Sequence, residues 1–371
     1  MIPRLSFSAG GGIKYSFQGN LFGLTNRLTA GIDLQHQDDD RRNFDNPEGK
    51  PGETLQLHQN EEITSLGTFL YHELRPDLLI GTTRFTFGLR YDRLHFDASD
   101  FLLTNGDDSG ERTFDAFSPL LGLVFSPLPE LNLYGNLSTA FETPTTTELA
   151  NRPTGEGGFN PNLEPQRASN HEIGLKGIFE QFHYDLALFS ISVKDELIPF
   201  EVPTAPGRRF FRNAGSSTHN GLEFGLQGLL FEGLMASLAY TYSDFRFKDF
   251  TTEAGPLADN RIPGIPPHQL LAELSYSHRW GIDGGVEFIF VDDFFVDDAN
   301  TERNDAYIVM NLRFGGSRQI GGWQIAPFIG INNLFDRTYN ASVRVNAFGG
   351  RYFEPAPGVS IYSGLSIYRS F

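Results

Sequence analysis

The side chains grouped most closely for chemistry are acidic. Asp38-Asp39-Asp40, Asp292-Asp293 and Asp297-Asp298 cluster hard oxygen donors of the kind that hold Ca²⁺ in a loop. None follows the spacing of an EF-hand, and solvated loop carboxylates are the favoured reading. Histidines stand at positions 36, 58, 72, 95, 171, 183, 219, 268 and 278, with no two at the spacing of a metal-binding pair. There is no cysteine, which excludes a disulfide framework, a thiolate metal site and a cysteine nucleophile. The phosphate-binding loop, the Gly-x-Ser-x-Gly elbow and the His-Glu-x-x-His zinc motif are all missing. A Ser-His or Asp-His site assembled in space leaves no linear motif, but nothing in the chain favours one. The chain reads as a non-enzyme without a cofactor.

The composition narrows the partners. Asp and Glu number 46 against 29 Lys and Arg, a net charge of −17. Nucleic-acid binding needs a basic face, so that class is excluded. Aromatic residues make up 13% with 35 Phe, and there are 40 Gly. This suits an all-β membrane protein or a soluble β-rich one, and the strand pattern must decide. No run of 18 predominantly apolar residues exists, so no transmembrane helix is expected. The residues from Met1 show no charged region followed by an apolar stretch, so no signal peptide is expected among them.

Period-two alternation recurs along almost the whole chain. Phe85, Phe87, Leu89 and Tyr91 alternate with Arg84, Thr86, Gly88, Arg90 and Asp92. Leu222, Phe224 and Leu226 alternate with Glu223, Gly225 and Gln227 in the same way. The pattern predicts strands with one apolar and one polar face, about fifteen of them, and no sustained helix. The expected spans open with 3–17 and 22–37, include 183–198 and 209–229, and close with 321–335 and 357–371. Many are longer than the roughly 9–11 residues that cross a membrane at a tilt.

The connections alternate short and long. Short turns are expected near Gly19-Asn20, Arg75-Pro76-Asp77, Glu180-Gln181, Glu232-Gly233 and Gly281-Ile282-Asp283. Long polar segments occupy 38–58, 98–112, 143–167, 249–267 and 336–356. Outer-membrane barrels have this asymmetry, with short periplasmic turns and long outer loops. The expected fold class is therefore all-β, an antiparallel up-and-down transmembrane β-barrel. An odd strand count would place the first strand's start outside the cell, which predicts a partial barrel with further strands upstream.

Several short motifs follow one another along the chain. Ser138-Thr139-Ala140-Phe141-Glu142-Thr143-Pro144 carries a Phe-x-x-Pro element. Asn160-Pro161-Asn162-Leu163-Glu164-Pro165 follows as Asn-Pro-x-Leu-x-Pro, and then Glu172-Ile173-Gly174-Leu175-Lys176. Arg212-Asn213-Ala214-Gly215 with Asn220-Gly221-Leu222-Glu223, and Ile265-Pro266-Pro267-His268, continue the series. Asn332-Asn333-Leu334-Phe335-Asp336-Arg337-x-Tyr339 comes next, and Gly350-Arg351-Tyr352-Phe353 leads toward the final strand and Phe371. Taken in this order, the motifs resemble those of TonB-dependent outer-membrane receptors of the ferric siderophore type, the Asn332–Tyr339 run resembling their penultimate-strand signature, and the resemblance covers about residues 20 to 371.

The resemblance implies binding of an iron–siderophore complex at the outer face and TonB-energised uptake, in the bacterial outer membrane. It implies contact with outer-membrane lipid and lipopolysaccharide, and with the TonB system only through an N-terminal region upstream. The family barrel has about twenty-two strands around a plug, so residues 1–371 are expected to be the C-terminal part of the barrel domain, without the plug. Because many ferric siderophores are anionic, Arg152, Arg208, Arg209, Arg212, Arg344, Arg351 and Tyr352 are the ligand-contact candidates. Cobalamin, haem or another nutrient are alternative ligands, and a passive porin-like channel is the alternative function. Phe245, Phe247, Trp280, Phe294, Phe295 and Trp323 are expected in interfacial girdles.

Overall fold

The computed structural model describes residues 4–21, 23–45, 52–76, 81–104, 106–150, 152–153, 158–205, 208–252 and 255–369. Phe371 lies outside the described residues. The strands run β1 Arg4–Leu21, β2 Leu24–Phe44, β3 Leu55–Arg75, β4 Thr82–Asp100, β5 Gly110–Leu128 and β6 Leu131–Glu142. After helix α1 (Thr146–Ala150) come β7 Gln166–Phe179, β8 Phe182–Lys194, β9 Leu197–Phe200, β10 Phe210–Asn213, β11 Ser216–Phe231 and β12 Leu234–Asp249. Then follow β13 Thr251–Thr252, β14 Gly255–Pro256, β15 His268–His278, β16 Ile282–Val291, β17 Phe294–Phe295 and β18 Arg303–Asn304. The last are β19 Tyr307–Gly316, β20 Arg318–Ile320, β21 Trp323–Asn332, β22 Asn340–Val343, β23 Phe353–Pro355 and β24 Ser360–Arg369.

Sixteen strands form one sheet in the order β1 to β8, β11, β12, β15, β16, β19, β21 and β20, with β24 also on β21. The strands of this sheet pair antiparallel with the strands before and after them in that order, the up-and-down topology of the expected class. The sixteenth member, β20, resumes the β21 pairing that β19 began. The eight remaining strands make two-stranded hairpins within long connections. These were not expected, because two to four residues show no periodicity.

Several boundaries differ from the sequence expectation. The first turn lies beyond Leu21 rather than at Gly19-Asn20, which are inside β1. Asp38-Asp39-Asp40 belong to β2 and not to a loop: the ladder with β3 continues through Asp40↔Asn60 into polar sequence. The expected strand 209–229 is broken after Asn213, and 183–198 is broken where Asp195 takes a left-handed φ of 55°.

The chain divides into two compact units. The first holds Met1–Phe125, Asn136–His171 and Ser192–Ser216. Its sheet has an apolar face whose cross-strand rows include Tyr15, Ala30, Leu70 and Leu89, each directly opposite the next. That face is bare: Ile13 is 75% exposed and Leu5 79%. Such a surface is unusual in a soluble monomer and normal for a wall that faces lipid. The other face is polar and internally bonded, as where Arg90 Nε meets Asp92 Oδ1 at 2.8 Å and Arg90 Nη1 meets Asp33 Oδ2 at 3.1 Å. A small core of Phe96, Ala98, Phe114, Leu149, Phe159 and Leu163 packs on this face beyond the apolar band.

The second unit holds Ser126–Gly135, Glu172–Ile191 and Ser217–Phe371. It repeats the pattern, with Ile173, Ile361 and Trp280 at 62%, 70% and 72% exposed. Of the girdle candidates, Trp280 and Trp323 are exposed, whereas Phe247 and Phe294 are buried and line no outer girdle. The segment after β14 folds back beside Phe247, with Asp259 N–H donating to Phe247 O at 2.8 Å, and the Phe247 ring lies 4.8 Å from that of Phe250.

Candidate functional site

In the first unit the motif-bearing connection between β6 and β7 folds against β4 and β5. Pro144 is fully buried and Leu149 is at 0% exposure. Helix α1 begins with a capping box: Glu148 N–H donates to Thr145 Oγ1, and Thr145 N–H donates back to the Glu148 carboxylate. Asn160 N–H then donates to Leu149 O at 2.7 Å, which turns the chain so that Leu163 and Pro165 enter the core.

Two side chains hold the Asn160-Pro161-Asn162-Leu163-Glu164-Pro165 run in place. Arg112 of β5 donates to Asn160 O at 3.0 Å, to Leu163 O at 3.1 Å and to the Glu164 carboxylate at 3.2 Å. Asn213, at the end of β10, donates to Glu164 O at 2.8 Å and accepts from Glu164 N–H at 2.9 Å. The Asn-Pro-x-Leu-x-Pro and Arg-Asn-Ala-Gly motifs thus meet at Glu164. Gln166 extends the contact, donating to the Glu142 carboxylate and accepting from Leu197 N–H.

Beside this lies the β9–β10 hairpin, which presents cations on aromatic rings. Arg208 sits 5.3 Å from the centre of Phe210, and Arg212 sits 4.7 Å from that of Phe200. The two rings are 6.0 Å apart. Arg208 and Arg209 are exposed and Arg212 half-buried. Arg152, also in this unit, is half-buried and acts on Asp108, whose carboxyl is raised above its usual range by burial and by Asp100 and Asp107.

The remaining ligand candidates, Arg344, Arg351 and Tyr352, belong to the second unit. Arg344 N–H donates to Tyr352 O at 2.7 Å, and Arg351 Nε donates to Phe348 O at 3.2 Å. The Tyr352 phenol is raised by burial and by the nearby Asp297 and Glu302. The seven candidates are therefore divided, four in one unit and three in the other.

The other family positions of the second unit are structural. On β7, Gly174 leaves room for Tyr134: a Cβ there would lie 2.5 Å from its ring. Lys176 Nζ lies 5.4 Å from the Tyr134 ring centre, and Glu172 acts on the same phenol. Asn333 is buried with φ 53°; it accepts from Arg337 N–H and donates to Arg337 O and Pro357 O. Leu334 N–H bonds Met310 O, Asp336 accepts from Val359 N–H, and Tyr339 stacks on Tyr307 with centres 4.6 Å apart. Phe335 is 69% exposed. The penultimate-strand signature is thereby locked to the segment leading into β24.

The acidic clusters resolve differently. Asp297 accepts from Thr301 N–H and Glu302 N–H, and Asp292 from Asp293 N–H, so these carboxylates shape their own turns. A group that the linear spacing did not show is His95, Asp97 and Glu111, whose donor atoms lie within 4.8 Å of one another across β4 and β5.

A wall of long antiparallel strands, bare and apolar on one face, polar on the other, with long folded loops alternating with tight turns, defines an outer-membrane β-barrel protein. The chain matches the family "TonB dependent receptor-like, beta-barrel" over residues 4–347. It belongs to that family, which consists of outer-membrane receptors and transporters and not enzymes. It is 26% identical over 301 residues to the ferrioxamine B receptor of Salmonella typhimurium strain LT2, covering 78% of this chain and 39% of that protein. To the metal-pseudopaline receptor CntO of Pseudomonas aeruginosa strain UCBPP-PA14 it is 24% identical over 264 residues, covering 68% and 34%. The unliganded ferric citrate transporter FecA superposes with a TM-score of 0.80 at 16% identity, covering 99% of this chain and 55% of that one. The chain thus spans 34–39% of the length of these curated relatives.

Proposed function

We propose that the protein of which these residues form the barrel wall binds an iron–siderophore complex at its outer face and passes it inward, driven by TonB. In this reading residues 1–371 are the C-terminal part of the barrel domain. The contact with TonB is made by a region outside these residues, and outer-membrane lipid and lipopolysaccharide surround the apolar face. The observation that carries the reading is the β9–β10 hairpin, where Arg208 and Arg212 stack on Phe210 and Phe200. Guanidinium groups bind carboxylate and hydroxamate oxygens by charge-assisted hydrogen bonds, and aromatic faces accept aryl chelators. The names borne by relatives, ferrioxamine B and metal-pseudopaline, point to the same class of metal chelate.

The test is equilibrium binding to the detergent-solubilised chain, read by quenching of intrinsic tryptophan fluorescence with ferric ferrioxamine B and ferric citrate. Saturable quenching that weakens in Arg208→Ala/Arg212→Ala supports the reading. Quenching by neither probe, together with ion conductance in a planar bilayer, favours the passive channel.

A further inference from the structure

We propose that Arg112 is a positioning residue for the outer-face site: its guanidinium is the latch that keeps the β6–β7 loop folded onto β4 and β5. The inference rests on the outer-face binding just proposed for its functional consequence, but its structural content stands alone.

The Arg112 side chain reaches three points of the Asn-Pro-x-Leu-x-Pro run. Nη1 takes Asn160 O at 3.0 Å, while Nη2 is shared between Leu163 O at 3.1 Å and Glu164 Oε1 at 3.2 Å. The guanidinium also lies 5.0 Å from the centre of the Phe114 ring, a cation–π contact that fixes its plane. Phe114 belongs to the same core as Leu149, Phe159 and Leu163, so the latch and the apolar seat of the loop are adjacent. The side chain is only 17% exposed, which strengthens each bond relative to a solvated pair.

The geometry suits arginine and no other residue. Two backbone carbonyls and a carboxylate in different directions need a planar fork with several fixed donors. A lysine ammonium is a point donor that satisfies one or two of them and loses the stacking on Phe114. Backbone carbonyls carry no sequence information, so the latch holds the loop's path and leaves its side chains free to meet a ligand. The same loop is bonded through Glu164 to Asn213, at the end of the hairpin that bears Arg208 and Arg212. Releasing it therefore disturbs the hairpin that the proposed ligand meets.

The absence of cysteine makes the test direct. A nitroxide is attached to Asn162→Cys, an exposed position inside the latched run, and separately to Gln227→Cys, an exposed position in β11. Spectra of the full chain in detergent are compared for the parent, Arg112→Ala and Arg112→Lys. The expected result is a sharp, mobile spectrum at position 162 in Arg112→Ala and an intermediate one in Arg112→Lys, with position 227 unchanged in all three. An Asn162 label as immobile in Arg112→Ala as in the parent overturns the proposal. So does mobility at 227 matching that at 162, since it would mark general unfolding. Ferric ferrioxamine B and ferric citrate binding is then measured. If the parent binds either, its Kd weakens by about tenfold or more in Arg112→Ala, with part of the loss recovered in Arg112→Lys and the full quenching amplitude kept. If the parent binds neither probe, the functional reading fails while the spectra still decide the latch.

Discussion

Asn213 and Glu164 exchange two hydrogen bonds across 49 residues of chain: Glu164 N–H to Asn213 Oδ1 at 2.9 Å, and Asn213 Nδ2 to Glu164 O at 2.8 Å. Asn213 Nδ2 also reaches Asp195 O at 2.6 Å, at the left-handed residue that ends β8. One amide thus ties the β6–β7 loop to both ends of the β8–β11 connection. Asn213→Ala removes all three bonds and leaves a backbone N–H and two carbonyls to find water. We expect it to raise the hydrogen-exchange rate of the Glu164 amide and to cost about 1–3 kcal/mol in unfolding. Asn213→Asp keeps the acceptor and should preserve protection at Glu164 while losing the donor contacts. Equal exchange at Glu164 in Ala and Asp variants would show that the side-chain acceptor is not what protects it.

Like charges face each other on β2, β3 and β4. Asp38 is directly opposite Glu62, and Glu62 directly opposite Asp97. The neighbouring row carries His36 bonded to Thr64 and His95 bonded to Thr113, and no Lys or Arg. Opposed like charges on a sheet are destabilising. Glu62→Gln should therefore raise the thermal midpoint, by an amount worth about 0.3 kcal/mol after solvent screening. The gain should shrink in 1 M salt, where the Debye length is about 3 Å. A salt-independent shift would mean that packing or hydrogen bonding, not charge, is responsible.

Much of the wall was legible because each strand must put alternate residues on lipid and on water, and the sequence records that at period two. Phe85, Phe87 and Leu89 announce β4 without help from any distant residue. Where strands leave the lipid the constraint weakens, so the continuation of β2 through Asp38-Asp39-Asp40 was hidden in a polar run. Helix α1 had a local signal, the Thr145–Glu148 capping box, but one turn shows no helical period. The site was less legible. Arg112 looks like any strand arginine until the chain brings Asn160, Leu163 and Glu164 to it from 48 to 52 residues away. The motif residues Asn213 and Asn333 were found as letters, but their bonds depend on loop geometry that no periodicity encodes.

Gly281 occupies a turn where no other residue fits. Its φ is +78°, and a Cβ there would lie 2.1 Å from the Ser317 carbonyl oxygen. Ser317 N–H in turn donates to Gly281 O at 2.6 Å, so the two turns that flank β16 and β19 are joined at this point. Gly281→Ala should destabilise the chain by more than about 1 kcal/mol through both strain and loss of this contact. Gly321→Ala is the comparison: its φ is +57° but a Cβ there meets nothing within 4 Å, so only the conformational penalty of about 1 kcal/mol remains. Equal losses in thermal midpoint would show that the close approach to Ser317 is relieved at no cost.

Asp108, in the connection between β4 and β5, gives a pH dependence of defined sign. Burial first, then the carboxylates of Asp100 and Asp107, raise its folded pKa above the ordinary value, with Arg152 opposing. The folded state therefore favours the protonated form more than the unfolded chain does. At low pH, below both values, the group is protonated in either state and contributes no difference. As pH rises through the unfolded value, the unfolded chain gives up its proton first, and stability falls until the folded carboxyl ionises as well. At neutral pH the charged, partly desolvated carboxylate is a standing cost. Asp108→Asn removes that cost, so it should raise the thermal midpoint at pH 7 and leave it nearly unchanged at about pH 3, below the ordinary carboxylate pKa. Arg152→Gln should act in the opposite direction at pH 7, because it withdraws the positive charge that moderates the shift, and its effect should vanish in an Asp108→Asn background. A neutral-pH midpoint that Asp108→Asn lowers would mean that the carboxylate is held by favourable bonds that outweigh its burial.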